Sequence, residues 1–148
     1  MSHVQASIEI KRPVPDVFAY AADLGNFAEW SGEVIEVEPI SEGPMAVGTQ
    51  FRGVGKFLGR RMEQVVEVTA LEPDARFAFK TVSGPVKSEN SLTFERVAGG
   101  TRVTEGIDAE LGGFFGVADP LVARLLGRQF DMNLANMKDL VEAKASGD

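Results

Sequence analysis

The chain has 148 residues, 44% hydrophobic and 25% charged, a composition typical of one globular domain covering residues 1–148. Its formal net charge is −7 and its basic residues occur at most in pairs such as Arg60-Arg61, so no nucleic-acid partner is expected. Cysteine is absent, which excludes disulfides and thiolate nucleophiles. The only histidine, His3, lies at the N-terminus, where fraying is expected, so we expect neither a Ser-His-Asp triad nor a multi-histidine metal site.

Targeting and cofactor signals are missing as well. The sequence shows no basic-then-apolar leader and no apolar run of about 18 residues, so we expect a cytoplasmic protein without a membrane-spanning segment. It also lacks a clustered metal-ligand set and a phosphate-cradling glycine loop. We therefore expect no metal and no cofactor.

The first elements are a strand and two short helices. Residues 4–11, "VQASIEIK", alternate in polarity and predict a strand with one buried face. Pro13 and Pro15 then break the strand, and residues 16–21 suit a short helix. A second short helical segment is predicted over residues 25–30, which include the single tryptophan.

Six further strands follow, separated by turn residues. The turn signals are Leu58-Gly59-Arg60, "EPDA", Ser83-Gly84-Pro85 and Gly99-Gly100, and they recur about every ten residues, as in an antiparallel meander. The predicted strands cover residues 33–40, 48–59, 61–71, 75–82, 86–97 and 101–111.

The last element is a long helix. Asp119 is a candidate N-cap, Pro120 suits the first helical position, and helical spacing of apolar residues continues to Lys144. A helix over residues 120–144 would be about 38 Å long. The predicted architecture is an α+β fold in which a curved, seven-stranded antiparallel sheet wraps around this helix. The helix then closes one side of a cavity, and the two short helices cover one end of it.

Four stretches carry a resemblance to a known family. They are "IEIKRPVPDVFAYAADLGNFAEW", "VTALEPDARFAFKT", "ERVAGGTRVT" and "NLANMKDLVEA". With them the chain resembles the START/Bet v 1-like (SRPBCC) superfamily of helix-grip proteins, and more closely a bacterial polyketide cyclase/dehydrase-like or lipid-transport-like member. The resemblance covers nearly the whole chain. It implies a cavity between sheet and helix for a small apolar molecule, in a family of binders, carriers and enzymes.

Strand alternation predicts which side chains face this cavity. In "TQFRGVGKF", two glycines lie on the same face as Phe51 and Phe57, which indicates either room for a ligand or a bend in the sheet. On the last two strands, the apolar alternation turns Ser88, Asn90 and Glu105 inward. We expect Asn90, Glu105 and Gln64 to form one polar cluster, unless Glu105 lies at a strand end in water or pairs with an arginine.

The helix and the segment before it supply the remaining candidates. Leu126, Phe130, Asn133 and Met137 predict either a pocket lid or ordinary core packing. Phe114 and its neighbour Phe115 form either a gate or a staple at the helix start. Trp30 is interpreted as a pocket wall or as an apolar plug. The predicted ligand-binding residues are Trp30, Phe51, Gly53, Phe57, Gln64, Val66, Phe77, Phe79, Ser88, Asn90, Glu105, Ile107, Phe114, Leu126, Phe130 and Met137.

Three functions are compatible with these residues. The first is binding of a small hydrophobic partner such as a lipid, polyketide or aromatic metabolite, for transport or sequestration, by a monomer or homodimer. The second is a metal-free cyclase/dehydratase with Glu105 as the candidate catalytic proton carrier and Asn90, with Gln64 or Ser88, orienting a carbonyl. The third is a protein-interaction module, which would need an apolar or charged surface patch that the sequence does not clearly show.

Overall fold

The computed structural model describes residues 2–110, 115 and 119–147. It confirms the predicted order of strand, two short helices, six strands and one long helix. The elements are β1 (Ser2–Ile10), α1 (Val14–Ala21), a 3-10 helix (Leu24–Asn26), α2 (Phe27–Trp30), β2 (Val34–Pro39), β3 (Gln50–Phe57), β4 (Arg60–Glu72), β5 (Arg76–Ser83), β6 (Ser88–Val97), β7 (Gly100–Ala109) and α3 (Asp119–Gly147).

The seven strands form one antiparallel sheet in the order β1-β7-β6-β5-β4-β3-β2. The predicted tight turn between β3 and β4 has two residues, Leu58 and Gly59, with φ of 51° and 78°. Two consecutive positive φ values fit the type I′ turn, whose twist matches that of the flanking strands. Register shifts at Val65/Val66 and Val68/Ala70 interrupt the pairing of β4 with β5, and irregularities of this kind bend a sheet.

The long helix α3 lies across the sheet, with most of its contacts on β1. Its buried side chains recur every three or four residues, as in a helix with one face against the core: Val122, Leu126, Phe130, Asn133, Leu134, Met137 and Val141. None of the described helices has both the length and the apolar character needed to cross a lipid bilayer.

The apolar interior consists of two clusters of packed side chains. The larger cluster joins α1 and α2 to the sheet and to the second half of α3, and it includes Phe77 and Met137. The smaller cluster joins the first half of α3 to the ends of several strands; its buried members are Val4, Phe57, Val86, Ala109, Val122, Leu126 and Phe130. The core is therefore divided along the length of α3.

Candidate functional site

A cavity of about 190 Å³ lies between the concave face of the sheet, α2 and the first half of α3. Both clusters contribute to its wall: Phe51 and Val66 belong to the larger one, and Leu126 and Phe130 to the smaller one. A dry protein cavity of about 150 Å³ is large enough to bind benzene. The hollow is thus sized for an organic molecule of about one ring.

Most of the residues predicted from strand alternation border this cavity. Those that the structure places in its wall are Trp30, Phe51, Gly53, Phe57, Gln64, Val66, Phe79, Ser88, Asn90, Glu105, Ile107, Leu126 and Phe130. They come from α2, from five strands and from α3. The alternation therefore indicated the inner face of these strands correctly.

Two predicted residues lie elsewhere, and one lies outside the described residues. Phe77 and Met137 do not border the cavity, because both are fully buried in the larger cluster. The Phe77 ring packs edge-on against Phe27, with ring centroids 6.1 Å apart. Phe114 falls outside the described residues, whereas its neighbour Phe115 borders the cavity and packs edge-on against Phe57 at 5.6 Å.

Sequence reasoning missed the contribution of the junction between α2 and β2. Phe27, Ser31 and Glu33 border the cavity together with Val34 and Val37. Neither helical nor strand periodicity assigns a face at such a junction, so alternation could not identify them. The one available signal was that Phe27 and Trp30 lie three residues apart, which places them on one side of a helical turn.

The two glycines of β3 have different reasons to be glycine. A Cβ added at Gly53 would meet no atom within 4 Å, so this position opens onto the cavity. A Cβ added at Gly55 would lie 2.8 Å from the carbonyl oxygen of Glu33, at the register shift between β2 and β3. The structure thus shows open space at Gly53 and a sheet irregularity at Gly55; that the space at Gly53 holds a ligand stays a prediction.

Three buried polar atoms in the cavity wall have no hydrogen-bond partner among the described residues. They are Trp30 Nε1, Gln64 Oε1 and Glu105 Oε1. Buried polar groups are almost always paired, because an unpaired one costs about 1–3 kcal/mol. All three belong to residues that border the same hollow, but the atoms themselves are buried, so a ligand with matching polar atoms could pair with them only after a small adjustment of the wall.

The polar residues that we predicted as one cluster, Gln64, Asn90 and Glu105, all border the cavity, but among the described residues no direct hydrogen bond joins them. Asn90 donates a hydrogen bond to Ser88 Oγ at 2.9 Å, and Ser88 Oγ lies 2.9 Å from Thr81 Oγ1. In the sheet, Asn90 pairs with Ile107 of β7, and Ile107 lies two residues from Glu105 along that strand. Asn90 and Glu105 border the same cavity, and no direct hydrogen bond joins their side chains.

A second polar group joins α3 to the junction between α2 and β2. Asn133, which is fully buried, donates through Nδ2 to Glu33 Oε2 at 2.9 Å and accepts at Oδ1 from the Gly32 N–H at 2.9 Å. Ser31 donates to Glu33 Oε1 at 3.0 Å, and Gln129 donates to Asn133 Oδ1 at 2.9 Å. Both oxygens of the Glu33 carboxylate therefore have protein donors.

Glu105 is the buried carboxyl of the cavity. Only 9% of the residue is exposed, and it forms no ion pair with any described residue. Burial raises its pKa well above the ordinary value, the negative charge of Glu33 raises it further, and the Asn133 side chain lowers it. This environment favours the protonated form of Glu105, which can donate a hydrogen bond.

Trp30 both closes and lines the cavity. It is 3% exposed and packs edge-on against Phe27, with ring centroids 5.4 Å apart, under the short helices. The ring also borders the hollow, with its N–H unpaired as described above. The two interpretations of Trp30 as plug and as wall are therefore compatible.

Within residues 2–110, 115 and 119–147, no group of three or more His, Asp or Glu side chains is arranged to hold a metal ion.

A protein-family model matches residues 1–142. Its description is "Polyketide cyclase / dehydrase and lipid transport". Comparison with curated protein sequences gave no significant match.

Several solved structures share the fold. One is TTHA0849 from Thermus thermophilus, with a TM-score of 0.80, 23% identity and coverage of 97% of this chain and 99% of that chain. A START superfamily protein from Mycobacterium smegmatis has a TM-score of 0.78 at 14% identity, covering 95% of this chain and 97% of that one. The Zhui aromatase/cyclase from Streptomyces sp. R1128 has a TM-score of 0.67 at 16% identity, covering 98% and 93%.

Proposed function

Since the chain belongs to the polyketide cyclase/dehydrase and lipid transport family, in the START/Bet v 1 superfamily, we propose that it binds a small, mostly apolar molecule between sheet and α3. The observation that carries this proposal is the cavity of about 190 Å³, whose wall is largely aromatic and aliphatic. A concave, mostly apolar pocket with a few polar groups is the usual form of a site for a small organic molecule.

The aromatic lining favours a flat ligand. Phe51 and Phe79 meet edge-on in the wall, with ring centroids 5.7 Å apart, and Phe57 and Phe115 meet in the same way. Ring edges and faces held at these angles can stack on a further aromatic ring or pack against an aliphatic chain. Because the volume admits about one ring, a large multi-ring compound would have to extend out of the hollow.

Native mass spectrometry of the purified protein tests this proposal first. We expect a bound organic compound of low mass. In addition, calorimetric titration with ethylbenzene, a one-ring apolar probe, should show binding to the wild-type protein and loss of binding in Gly53→Val, which fills the open space beside Gly53.

Val82→Leu is the matched control for this experiment. Val82 is half exposed, so an added methylene there leaves the cavity unchanged. Ethylbenzene should bind this variant as it binds the wild-type protein. Equal ethylbenzene affinity in Gly53→Val and the wild type, with both proteins folded, would show that the cavity is not the binding site.

Acid–base catalysis in the same cavity is a second candidate function, favoured by the environment of Glu105. Its raised pKa keeps a proton available in an apolar site, and a protonated carboxyl can protonate a carbonyl or a departing hydroxyl of a bound substrate. Glu105→Gln preserves size but carries no transferable proton. For the compound identified by mass spectrometry, this variant should retain binding and lose turnover; unchanged turnover would exclude Glu105 as the proton donor.

A further inference from the structure

All ionisable side chains in the described part of the cavity wall are acidic. Among the described residues that border the hollow, the acids are Glu33 and Glu105, and there is no lysine, arginine or histidine. A carboxylate ligand would lose its hydration on entry and would meet no cation in return. Burial of an unpaired charge is expensive, and a second negative charge nearby adds to that penalty.

The two acids are also poorly suited to hold a cationic ligand. The oxygens of Glu33 already accept hydrogen bonds from Ser31 and Asn133. Glu105 would have to lose its proton first, in a site where burial and Glu33 both oppose ionisation. A cation would thus need to replace existing bonds or ionise a buried acid.

The unpaired polar atoms indicate what the ligand carries instead. Trp30 Nε1–H can act only as a donor, so it requires an acceptor such as a carbonyl or hydroxyl oxygen. Glu105, whose unpaired Oε1 lies in the same wall, is a second donor when it is protonated. Gln64 Oε1 adds one acceptor. A neutral molecule with a carbonyl or hydroxyl oxygen matches this set, and a purely hydrocarbon ligand leaves it unpaired.

We propose that the cavity selects neutral, one-ring-sized molecules that carry a hydrogen-bond acceptor, and that it rejects carboxylates, free fatty acids included. This inference rests on the proposed function, because it specifies the ligand class of the same cavity. The Trp30 indole N–H is assigned as a donor to the ligand, and the absence of a basic side chain in the described wall as the cause of discrimination against anions.

Three ligands of nearly identical shape test the charge selection. Benzamide is neutral, benzoate is its anionic isostere, and benzamidinium is its cationic isostere. In calorimetric titrations of the wild-type protein at pH 7, we expect benzamide to bind and each charged ligand to bind at least about tenfold more weakly. Benzoate or benzamidinium affinity equal to or above that of benzamide would overturn the proposal.

Ethylbenzene separates failure of this inference from failure of the proposed function. If ethylbenzene binds and benzamide does not, the cavity binds apolar molecules but has no acceptor-binding site, and the inference is wrong. If neither ligand binds and no compound co-purifies, the proposed function itself is wrong. If both neutral ligands bind and both charged ones fail, both proposals are supported.

Trp30→Phe tests the assignment of the donor. This substitution keeps an aromatic ring in the wall and removes the N–H. Loss of one neutral hydrogen bond should weaken benzamide binding about three- to tenfold. Ethylbenzene makes no such bond, so its change in affinity measures the effect of the smaller ring alone, and we expect that change to be smaller than the loss for benzamide. An equal loss for both ligands would show that Trp30 acts only through packing.

Discussion

The surroundings of Glu105 favour the protonated form of its carboxyl group. In the unfolded chain it should titrate near its ordinary value of 4.5, whereas in the folded protein burial and Glu33 raise its pKa well above that value. Between those two values the folded state binds the proton and the unfolded state does not. Folding stability is therefore lost as the pH rises through this interval, because ionisation of the buried acid is unfavourable.

The first prediction concerns this pH dependence. Glu105→Gln should remove a decline in the free energy of unfolding that sets in above about pH 4.5, with a slope of up to about 1.4 kcal/mol per pH unit for one proton. Urea unfolding of both proteins from pH 4 to pH 8 measures the difference, in which titrations common to both cancel. A difference that does not change with pH would contradict the raised pKa of Glu105.

Glu142→Gln is the control with the opposite sign. Hydrogen bonds from the Lys11 backbone N–H and from Lys138 lower the pKa of Glu142. The contribution of Glu142 to the free energy of unfolding is present above the pKa that Glu142 has in the unfolded chain, and it is lost as the pH falls. This variant should therefore change the acid limb of the stability profile. The neutral and alkaline limb should remain as in the wild type.

The second prediction compares the two glycines of β3. Gly55→Ala places a methyl group 2.8 Å from the backbone oxygen of Glu33, and backbone cannot yield as a flexible side chain can. We expect a loss of about 1–3 kcal/mol. Gly53→Ala meets open space and should change the free energy of unfolding by less than about 0.5 kcal/mol. Denaturant midpoints of both variants provide the measurement, and equal losses would contradict the contact assigned to Gly55.

At the scale of elements, the side-chain amide of Asn133 connects α3 to the opposite side of the cavity through hydrogen bonds. Asn133 holds the Gly32 N–H and both oxygens of Glu33, so it links the helix to the junction between α2 and β2. The short helix α2 also packs on α3, whereas the edge strand β2 has few contacts with it. This end of the cavity therefore depends on a polar connection as well as on apolar packing.

The third prediction follows from that connection. Asn133→Ala leaves a partly buried carboxylate and a backbone N–H without their partner, and should cost about 2–4 kcal/mol in the free energy of unfolding. Gln129→Ala, one turn earlier on α3, removes a single hydrogen bond to Asn133 and should cost about 0.5–1.5 kcal/mol. A small loss for Asn133→Ala, no larger than the loss for Gln129→Ala, would mean that water replaces the amide.

At the scale of the whole molecule, the fold was predictable because every element agrees with the local sequence. Regular turns, period-two strands and a final stretch of helical period leave few alternatives to a meander packed on one helix. The inner faces of β3 to β7 followed from the same alternation. What alternation cannot supply is the position of the hollow along those faces, which depends on where α3 lies.

Phe77 and Phe79 illustrate this limit. They lie two residues apart on the same face of β5, and the sequence treats them alike. In the structure, Phe79 borders the hollow, whereas Phe77 is covered by Phe27 and the larger cluster. Met137 is covered for the same reason, because it belongs to the second half of α3. Whether such a residue borders the hollow or is covered depends on tertiary packing, so no local sequence pattern indicates it.

The division of the apolar interior has a consequence for motion. Residues 122–130 of α3 pack on the smaller cluster and border the hollow, whereas residues 134–141 are anchored in the larger cluster. Local opening is easiest where the fewest apolar contacts must separate. In amide hydrogen–deuterium exchange of the ligand-free protein, residues 122–130 should therefore exchange faster than residues 134–141. Ethylbenzene should slow the exchange of residues 122–130 alone. Equal protection of both stretches would contradict the inference that a ligand enters the cavity by local opening of residues 122–130.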